Sequence, residues 1–182
     1  LSTAEIDTYR SNGFLLYPDF LDSEEVEELR DAVLKAIASM GLRKVAGDGA
    51  DLVEGQEYYD RVFTQRLNLW RISEPVRKLV TSPALGEMLC RLEDITGIRV
   101  WHDQALIKEP FANPTALHLD TPFWSFHSAN APSIWIALED ASLENGCLCF
   151  LPGSHRMTKF NQIPISGDFG GLLAIYPQLR SI

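Results

Sequence analysis

The chain has 182 residues, of which 46% are hydrophobic and 23% are charged, and its formal net charge is −9. This composition is typical of a single globular domain with a full apolar core. Basic residues are scattered among acids, which argues against a nucleic-acid-binding surface, because such a surface needs clustered positive charge. No apolar run is long enough to cross a membrane, so we expect neither nucleic-acid nor membrane partners.

Three cysteines, Cys90, Cys147 and Cys149, are an odd number without the spacing of a disulfide framework or a zinc site. Cys147 and Cys149 would share one face of a strand, where we expect them to remain buried thiols. Free thiols favour a reducing compartment, so the sequence predicts a cytoplasmic protein.

The first half of the chain predicts helices. A capping-box pattern at residues 2–5 predicts a short helix that ends near Gly13. Acidic residues after Asp22 complement the dipole of a second helix, which is expected to end at Gly41. Its apolar residues keep helical spacing and are expected to pack in the core: Val26, Leu29, Val33, Ile37 and Met40. A third helix is predicted from Pro83, in its first turn, to Gly97.

The second half of the chain predicts short strands separated by turns. The predicted strands cover residues 98–108, 117–120, 133–138 and 147–151, after an isolated strand at 14–17. Asn145-Gly146 is a strong tight-turn pair, and residues 41–59 are predicted to form a surface loop. Helices followed by strands predict an α+β fold, with an antiparallel sandwich backed by helices.

His118 and Asp120 are the candidate metal ligands. On a strand, residues two apart project from the same face, so an imidazole and a carboxylate would converge. Such a pair supplies two of the three protein ligands of a 2-His-1-carboxylate iron site, which keeps positions open for a co-substrate and dioxygen. An H-x-D motif arises often by chance, but Phe123, Trp124 and Phe126 follow this one and would supply apolar walls.

A longer ordered pattern is more specific than H-x-D alone. His118-Leu119-Asp120 is followed by W-I-A-L-E-D at 135–140, L-E-N-G-C at 143–147 and P-G-S-H at 152–155. This string resembles the phytanoyl-CoA dioxygenase family, especially its phytanoyl-CoA dioxygenase domain-containing proteins, and the resemblance covers nearly the whole chain. In that family the P-G-S-H histidine, here His155, belongs to a turn and is not an iron ligand.

The resemblance implies a double-stranded β-helix (jelly roll) with a mainly β core, N-terminal helices packed on one side, and one domain over residues 1–182. It implies iron(II), 2-oxoglutarate and dioxygen, and hydroxylation of an unactivated carbon of a small organic substrate with release of succinate and carbon dioxide. His118 and Asp120 match the iron ligands, and a carboxylate at position 120 favours hydroxylation over halogenation. Gln104 and Trp135 match positions that line 2-oxoglutarate, and Trp124 matches a substrate-side aromatic residue. The aromatic residues predict a substrate with an apolar part.

The pattern breaks toward the C-terminus. In the family, a second histidine ligand lies several tens of residues beyond P-G-S-H, and an arginine soon after it pairs with the far carboxylate of 2-oxoglutarate. Ile182 precedes both positions, so we expect the last strands to lie outside this sequence. Two alternatives stay open: a non-catalytic jelly-roll binding protein without the third ligand, and a metal-dependent isomerase, which would need more histidines than are available here.

Overall fold

The computed structural model describes residues 1–47, 59–159, 168 and 170–182. Its helices and strands are, in chain order, α1 (Thr3–Asn12), α2 (Ser23–Met40), β1 (Thr64–Leu67), α3 (Glu74–Val80), α4 (Pro83–Glu93), β2 (Gln104–Ile107) and α5 (Gly171–Ile175). Short 3-10 helices occupy Tyr59–Arg61, Leu69–Arg71, Thr121–Phe123, Ser154–Arg156 and Pro177–Ser181. The presence of both helices and strands agrees with the predicted α+β class.

Both N-terminal helices begin at capping boxes. The Ser2 hydroxyl accepts a hydrogen bond from the Glu5 amide at 3.2 Å, and the Glu5 carboxylate accepts one from the Ser2 amide at 2.6 Å. Asp22 and Glu25 make the same reciprocal pair before α2, with both bonds at 2.9 Å. α1 ends at Gly13, whose φ of +84° is left-handed. These contacts confirm the predicted helix starts, because a cap depends only on residues three apart.

The main apolar core forms where α2 packs on α3 and on the 3-10 helix Leu69–Arg71. Leu29 and Met40 of α2, Val76 of α3 and the fully buried Leu69 belong to this core. Burial of each such side chain contributes about 1.5–3 kcal/mol to folding. The predicted role of the α2 apolar stripe in core packing is confirmed for Leu29, Val33, Ile37 and Met40, whereas Val26 is not among the residues of this core.

The two strands pair antiparallel, with Thr64 opposite Ile107 and Leu67 opposite Gln104. Just before β2, the carboxylate of Asp103 accepts hydrogen bonds from the amides of Leu69 and Trp70, each at 3.0 Å. These bonds connect the start of β2 to the 3-10 helix at the centre of the core.

Most of the predicted strands are not formed. Of the range 98–108 only Gln104–Ile107 is a strand, and the segments 14–17, 117–120, 133–138 and 147–151 have no strand assignment. An alternating apolar pattern specifies which face is buried, whereas a strand also requires a hydrogen-bonded partner. In the described part of the chain, the one ladder is β1–β2. The buried apolar residues there lie mostly on helices, so a mainly β core is not seen in these ranges.

Three further predictions need correction or fall outside the described ranges. The helix predicted to reach Gly97 ends at Glu93, because Asp94 takes a left-handed conformation with φ of +57° and donates its amide to the carbonyl of Cys90. Residues 142–147 do turn, with the Cys147 amide donating to the Ser142 carbonyl at 2.9 Å, but no strands flank the turn. Most of the loop predicted at 41–59 lies outside the described residues.

Candidate metal centre

The backbone that carries His118 and Asp120 is irregular, so the strand predicted to align them is absent. Leu117 and Leu119 instead pack on a buried cluster that includes Leu172 of α5. These two leucines occupy alternate positions in the chain, and their packing holds them on the interior side. His118 and Asp120 are therefore brought together by packing of their neighbours, without a strand ladder.

The two side chains are in contact. His118 Nε2 lies 3.2 Å from Asp120 Oδ1, and His118 Nδ1 lies 2.8 Å from the carbonyl oxygen of Ala116. Because a carbonyl oxygen can only accept, Nδ1 carries the proton of that bond and Nε2 is directed at the carboxylate. Metal-ligating histidines are commonly oriented in this way, with the second ring nitrogen bonded to a backbone carbonyl or a carboxylate.

The electrostatics of the pair favour a positive charge between its members. Without such a charge, a lone pair on Nε2 and an anionic oxygen would face each other at 3.2 Å and repel. The hydrogen bond to Asp120 is the largest cause that raises the pKa of His118, while burial opposes it and the Ala116 carbonyl assists it. A divalent cation can replace the proton held there, since imidazole ligates metals in its neutral form. A nitrogen and an oxygen donor at this separation therefore fit iron(II).

A small cavity of about 80 Å³ opens beside His118. Its lining is mostly apolar: Leu117, Leu119, Cys149, Phe150, Leu151, Leu172 and Leu179, together with Ser154 and Thr158. The side chain of His118 is 24% exposed and that of Asp120 is 58% exposed. His118 thus faces apolar residues, whereas the Asp120 carboxylate is mostly open to solvent.

No third His, Cys, Asp or Glu joins this pair among residues 1–47, 59–159, 168 and 170–182. The ring of His102 contacts the neighbouring Trp101 ring at a tilt of 49°, with centroids 4.1 Å apart, and burial lowers the pKa of His102. His155 lies in the 3-10 helix Ser154–Arg156, and its ring is so close to Gly13 that a Cβ there would lie 2.7 Å from His155 Cγ. The P-G-S-H segment is therefore a turn, as predicted, and the structure shows in addition that it docks on the end of α1.

Gln104 and Trp135 lie apart from the cavity beside His118. The exposed Gln104 begins β2 and accepts a hydrogen bond from the Gln65 side chain of β1 at 2.9 Å. Trp135 is 49% exposed and lines a separate open groove of about 680 Å³ with Val26 of α2. Neither residue is among those that line the cavity of His118. Their assignment to 2-oxoglutarate stays a prediction.

Trp124 lies in an aromatic cluster made with Trp101 and Phe126. Its ring stacks on Phe126 with centroids 5.3 Å apart, and both rings meet Trp101 edge-on at 6.1 Å and 5.2 Å. The short 3-10 helix Thr121–Phe123 connects Asp120 to Trp124, so the cluster begins one turn after the pair. The predicted substrate-side role of Trp124 is not tested by this arrangement.

Sequence reasoning missed two participants in these contacts. The Ala116 carbonyl orients His118, and no side-chain pattern encodes a backbone acceptor. Trp101 was placed only in a strand, and its separation from Trp124 in the chain gave no sign that the rings meet. The available signal in the sequence was an aromatic residue beside a histidine, Trp101-His102.

Comparison with known proteins extends this picture. The profile of the family described as phytanoyl-CoA dioxygenase (PhyH) matches residues 9–166. A solved structure of the non-heme alpha-ketoglutarate-dependent carbocyclase SnoK, from nogalamycin biosynthesis, superposes with a TM-score of 0.74 at 26% identity, over 100% of this chain and 68% of that one. Within the described residues, no helix is both long and apolar enough to span a membrane.

Curated relatives match at similar identity. The dioxygenase lolE1 of Epichloe uncinata is 30% identical over 92% of this chain and 63% of its own length. The phytanoyl-CoA dioxygenase domain-containing protein 1 of Bos taurus is 26% identical over 85% of this chain and 66% of its own length. The ectoine dioxygenase of Halomonas elongata is 26% identical over 86% and 47%. The chain thus spans less than two thirds of the length of these relatives, and with most of its residues inside the family match it belongs to the phytanoyl-CoA dioxygenase family.

Proposed function

We propose that the protein with this chain is an iron(II)- and 2-oxoglutarate-dependent dioxygenase. Its proposed reaction is hydroxylation of an unactivated carbon of a small organic substrate, with release of succinate and carbon dioxide. The contact between His118 Nε2 and Asp120 Oδ1 carries the proposal, because it offers one nitrogen and one oxygen donor to the same cation. Family membership and the alpha-ketoglutarate-dependent structural neighbour support it.

Residues of this chain have defined tasks in that reaction. Bound iron would supply the oxidising chemistry with dioxygen and 2-oxoglutarate. His118 and Asp120 would hold two positions of the metal, with the Ala116 carbonyl fixing the ring orientation of His118. The apolar lining beside His118, which includes Leu151 and Leu172, would limit the access of water to that side of the metal.

The remaining parts of the site are proposed for the portion of the family fold that this chain does not span. The matched relatives are longer than the aligned region, and we assign a second histidine ligand and a 2-oxoglutarate-binding arginine to the corresponding part of the natural protein. We also propose that this portion supplies the strands that would complete the jelly roll as one domain. Gln104 and Trp135 would contact 2-oxoglutarate only if that completion moves them toward His118.

The substrate is proposed to be a small molecule with an apolar part. The aromatic cluster of Trp101, Trp124 and Phe126 begins one 3-10 turn after Asp120, and Trp101 is 45% exposed. Aromatic rings bind apolar groups by burial and by stacking. The names of related proteins include an ectoine dioxygenase and a carbocyclase, so product analysis must distinguish hydroxylation from ring closure.

The test measures metal binding and co-substrate turnover in the full-length natural protein. Equilibrium dialysis with manganese(II), a redox-inert stand-in, gives the affinity, and succinate formation with iron(II), 2-oxoglutarate and candidate substrates gives the activity. His118→Ala and Asp120→Ala should each lower metal affinity by at least about 100-fold, because the loss of a residue that only orients a metal ligand already costs about 10–100-fold. The matched control is His127→Ala, an exposed histidine outside the pair, which should leave affinity unchanged.

One observation favours a second candidate function. The described residues hold no third metal ligand, which is the pattern expected of a non-catalytic binding protein on the same fold. The full-length protein separates the two candidates. Metal binding with succinate formation supports the dioxygenase, whereas absence of both, with the wild type and His118→Ala behaving alike, refutes it.

A further inference from the structure

Cys147 and Cys149 form a close thiol pair at the protein surface. Their sulfur atoms lie 4.0 Å apart, and Cys149 is exposed while Cys147 is half-buried. The sequence predicts buried thiols, so the exposure of Cys149 is a correction. Residues 147–151, which were predicted to form a strand, have no strand partner in the described part of the chain.

The chain geometry allows the two sulfurs to bond. Residues two apart have Cα atoms at most about 7 Å apart, near the upper end of the 4.4–6.8 Å range of disulfides. The 4.0 Å contact must shorten to about 2 Å, which a rotation of the exposed Cys149 side chain can supply. Gly146 bends the backbone with a φ of +91°, and the Cys147 amide donates a hydrogen bond to the Ser142 carbonyl. These two features hold Cys147 in place.

We propose that Cys147 and Cys149 are an oxidisable dithiol, a modification site whose reactant is hydrogen peroxide. The Cys149 thiolate attacks one peroxide oxygen: an S–O bond forms, the O–O bond breaks, and hydroxide leaves and is protonated to water. Cys147 then loses its proton and attacks Cys149 Sγ: the S–S bond forms, the S–O bond breaks, and the hydroxide that leaves takes up a proton to become the second water. Two thiols lose two electrons, and one peroxide is reduced to two waters.

The order of attack follows from the surroundings of the two thiols. Desolvation is the largest cause that raises the pKa of Cys147, and the hydrogen bond with Cys149 adds to it. This shift makes Cys147 less reactive toward peroxide, whereas Cys149 is exposed and meets peroxide first. Cys147, 4.0 Å away, is placed to resolve the oxidised sulfur before a second peroxide reaches it.

Oxidation at this site would alter the candidate metal centre, because Cys149 lines the same cavity as His118. Formation of the bond moves the Cys149 sulfur toward Cys147 and changes that wall. A disulfide between residues two apart in the chain closes a small, strained ring. Because strained disulfides are more easily reduced, thiols can reverse the modification. The chemistry of the thiol pair does not require iron and stands apart from the proposed dioxygenase activity.

The experiment treats metal-free full-length protein with hydrogen peroxide in the presence of a chelator, then digests it with trypsin. Cleavage after Lys108 and Arg156 releases residues 109–156, which contain both thiols of the pair and exclude Cys90. We expect this peptide to lose about 2 Da and to regain the mass after treatment with dithiothreitol. Cys90→Ser is the matched control and should oxidise as the wild type does.

Single variants of the pair separate ring closure from simple oxidation. Cys147→Ser and Cys149→Ser should each abolish the loss of about 2 Da, and Cys147→Ser should instead gain about 16 or 32 Da at Cys149. An unchanged mass in the wild type overturns the proposal. So does a wild-type peptide that gains about 32 Da, or a disulfide that joins two chains on a non-reducing gel.

Discussion

Replacing Gly13 by alanine would place a methyl group against the ring of His155. The new Cβ would lie 2.7 Å from His155 Cγ, closer than real Cβ atoms approach other atoms. The left-handed φ of +84° costs a non-glycine residue about 1–2 kcal/mol. Because His155 is exposed, the clash adds about 1–2 kcal/mol, the lower part of the overpacking range, so Gly13→Ala should destabilise the protein by roughly 2–4 kcal/mol.

Gly153 offers a matched control on the other side of the same junction. Its φ of +75° is also left-handed, but a Cβ there would meet nothing closer than the Ser11 carbonyl oxygen at 3.9 Å. Gly153→Ala should therefore cost only the conformational term, about 1–2 kcal/mol. Urea denaturation measures both free energies of unfolding from the shift in midpoint at constant slope.

The contact with His155 can be isolated by a double-mutant cycle. In a His155→Ala background, the cost of Gly13→Ala should fall to about that of Gly153→Ala, because the ring it would strike is gone. Equal costs for the two glycine variants in the wild-type background would refute the reasoning. An undiminished cost of Gly13→Ala without the imidazole would do the same.

Three further outcomes follow from the structure. Leu69→Ala, at a fully buried site, should cost about 2–5 kcal/mol in urea denaturation, whereas Leu16→Ala, at an 83% exposed site, should stay within about 0.5 kcal/mol. Asp103→Asn should cost about 1.5–3 kcal/mol, because its carboxylate accepts two backbone amides, and hydrogen exchange at those amides should accelerate. The pKa of His118 is raised in the folded metal-free protein. Its ion pair with Asp120 therefore stabilises the fold fully at pH values below the pKa of the unfolded chain, and this stabilisation is lost as the pH rises through the pKa of the folded protein. Metal affinity in dialysis should accordingly increase with pH over that window, since the proton must leave first.

Local interactions made the helix starts predictable. The reciprocal hydrogen bonds at Ser2 and Asp22 involve residues three apart, so the sequence pattern contains the whole interaction. The end of α4 was misplaced for a related reason. Gly97 is the usual left-handed residue, but Asp94 tolerates that conformation and ends the helix three residues earlier.

Non-local interactions limited the prediction of the sheet and the site. A strand at 117–120 would need a hydrogen-bonded partner strand, and the local sequence pattern does not identify one. His118 and Asp120 still meet, because Leu117 and Leu119 pack on the buried cluster at alternate positions. The alternation thus conveyed the side-chain arrangement correctly without the ladder. Trp135 shows the opposite case, since its groove depends on α2, which lies far away in the sequence.

The junction between the end of α1 and the turn that contains His155 has a consequence for biosynthesis. Gly153 donates its amide to the Asn12 carbonyl at 2.8 Å, and Arg156 bonds to the carbonyl of Arg10, 146 residues earlier. At about 5–20 residues per second, a ribosome needs roughly 7–30 s to synthesise that intervening length. The first helix therefore emerges long before its partner exists, and during translation its C-terminal carbonyls must be satisfied by water or by another protein.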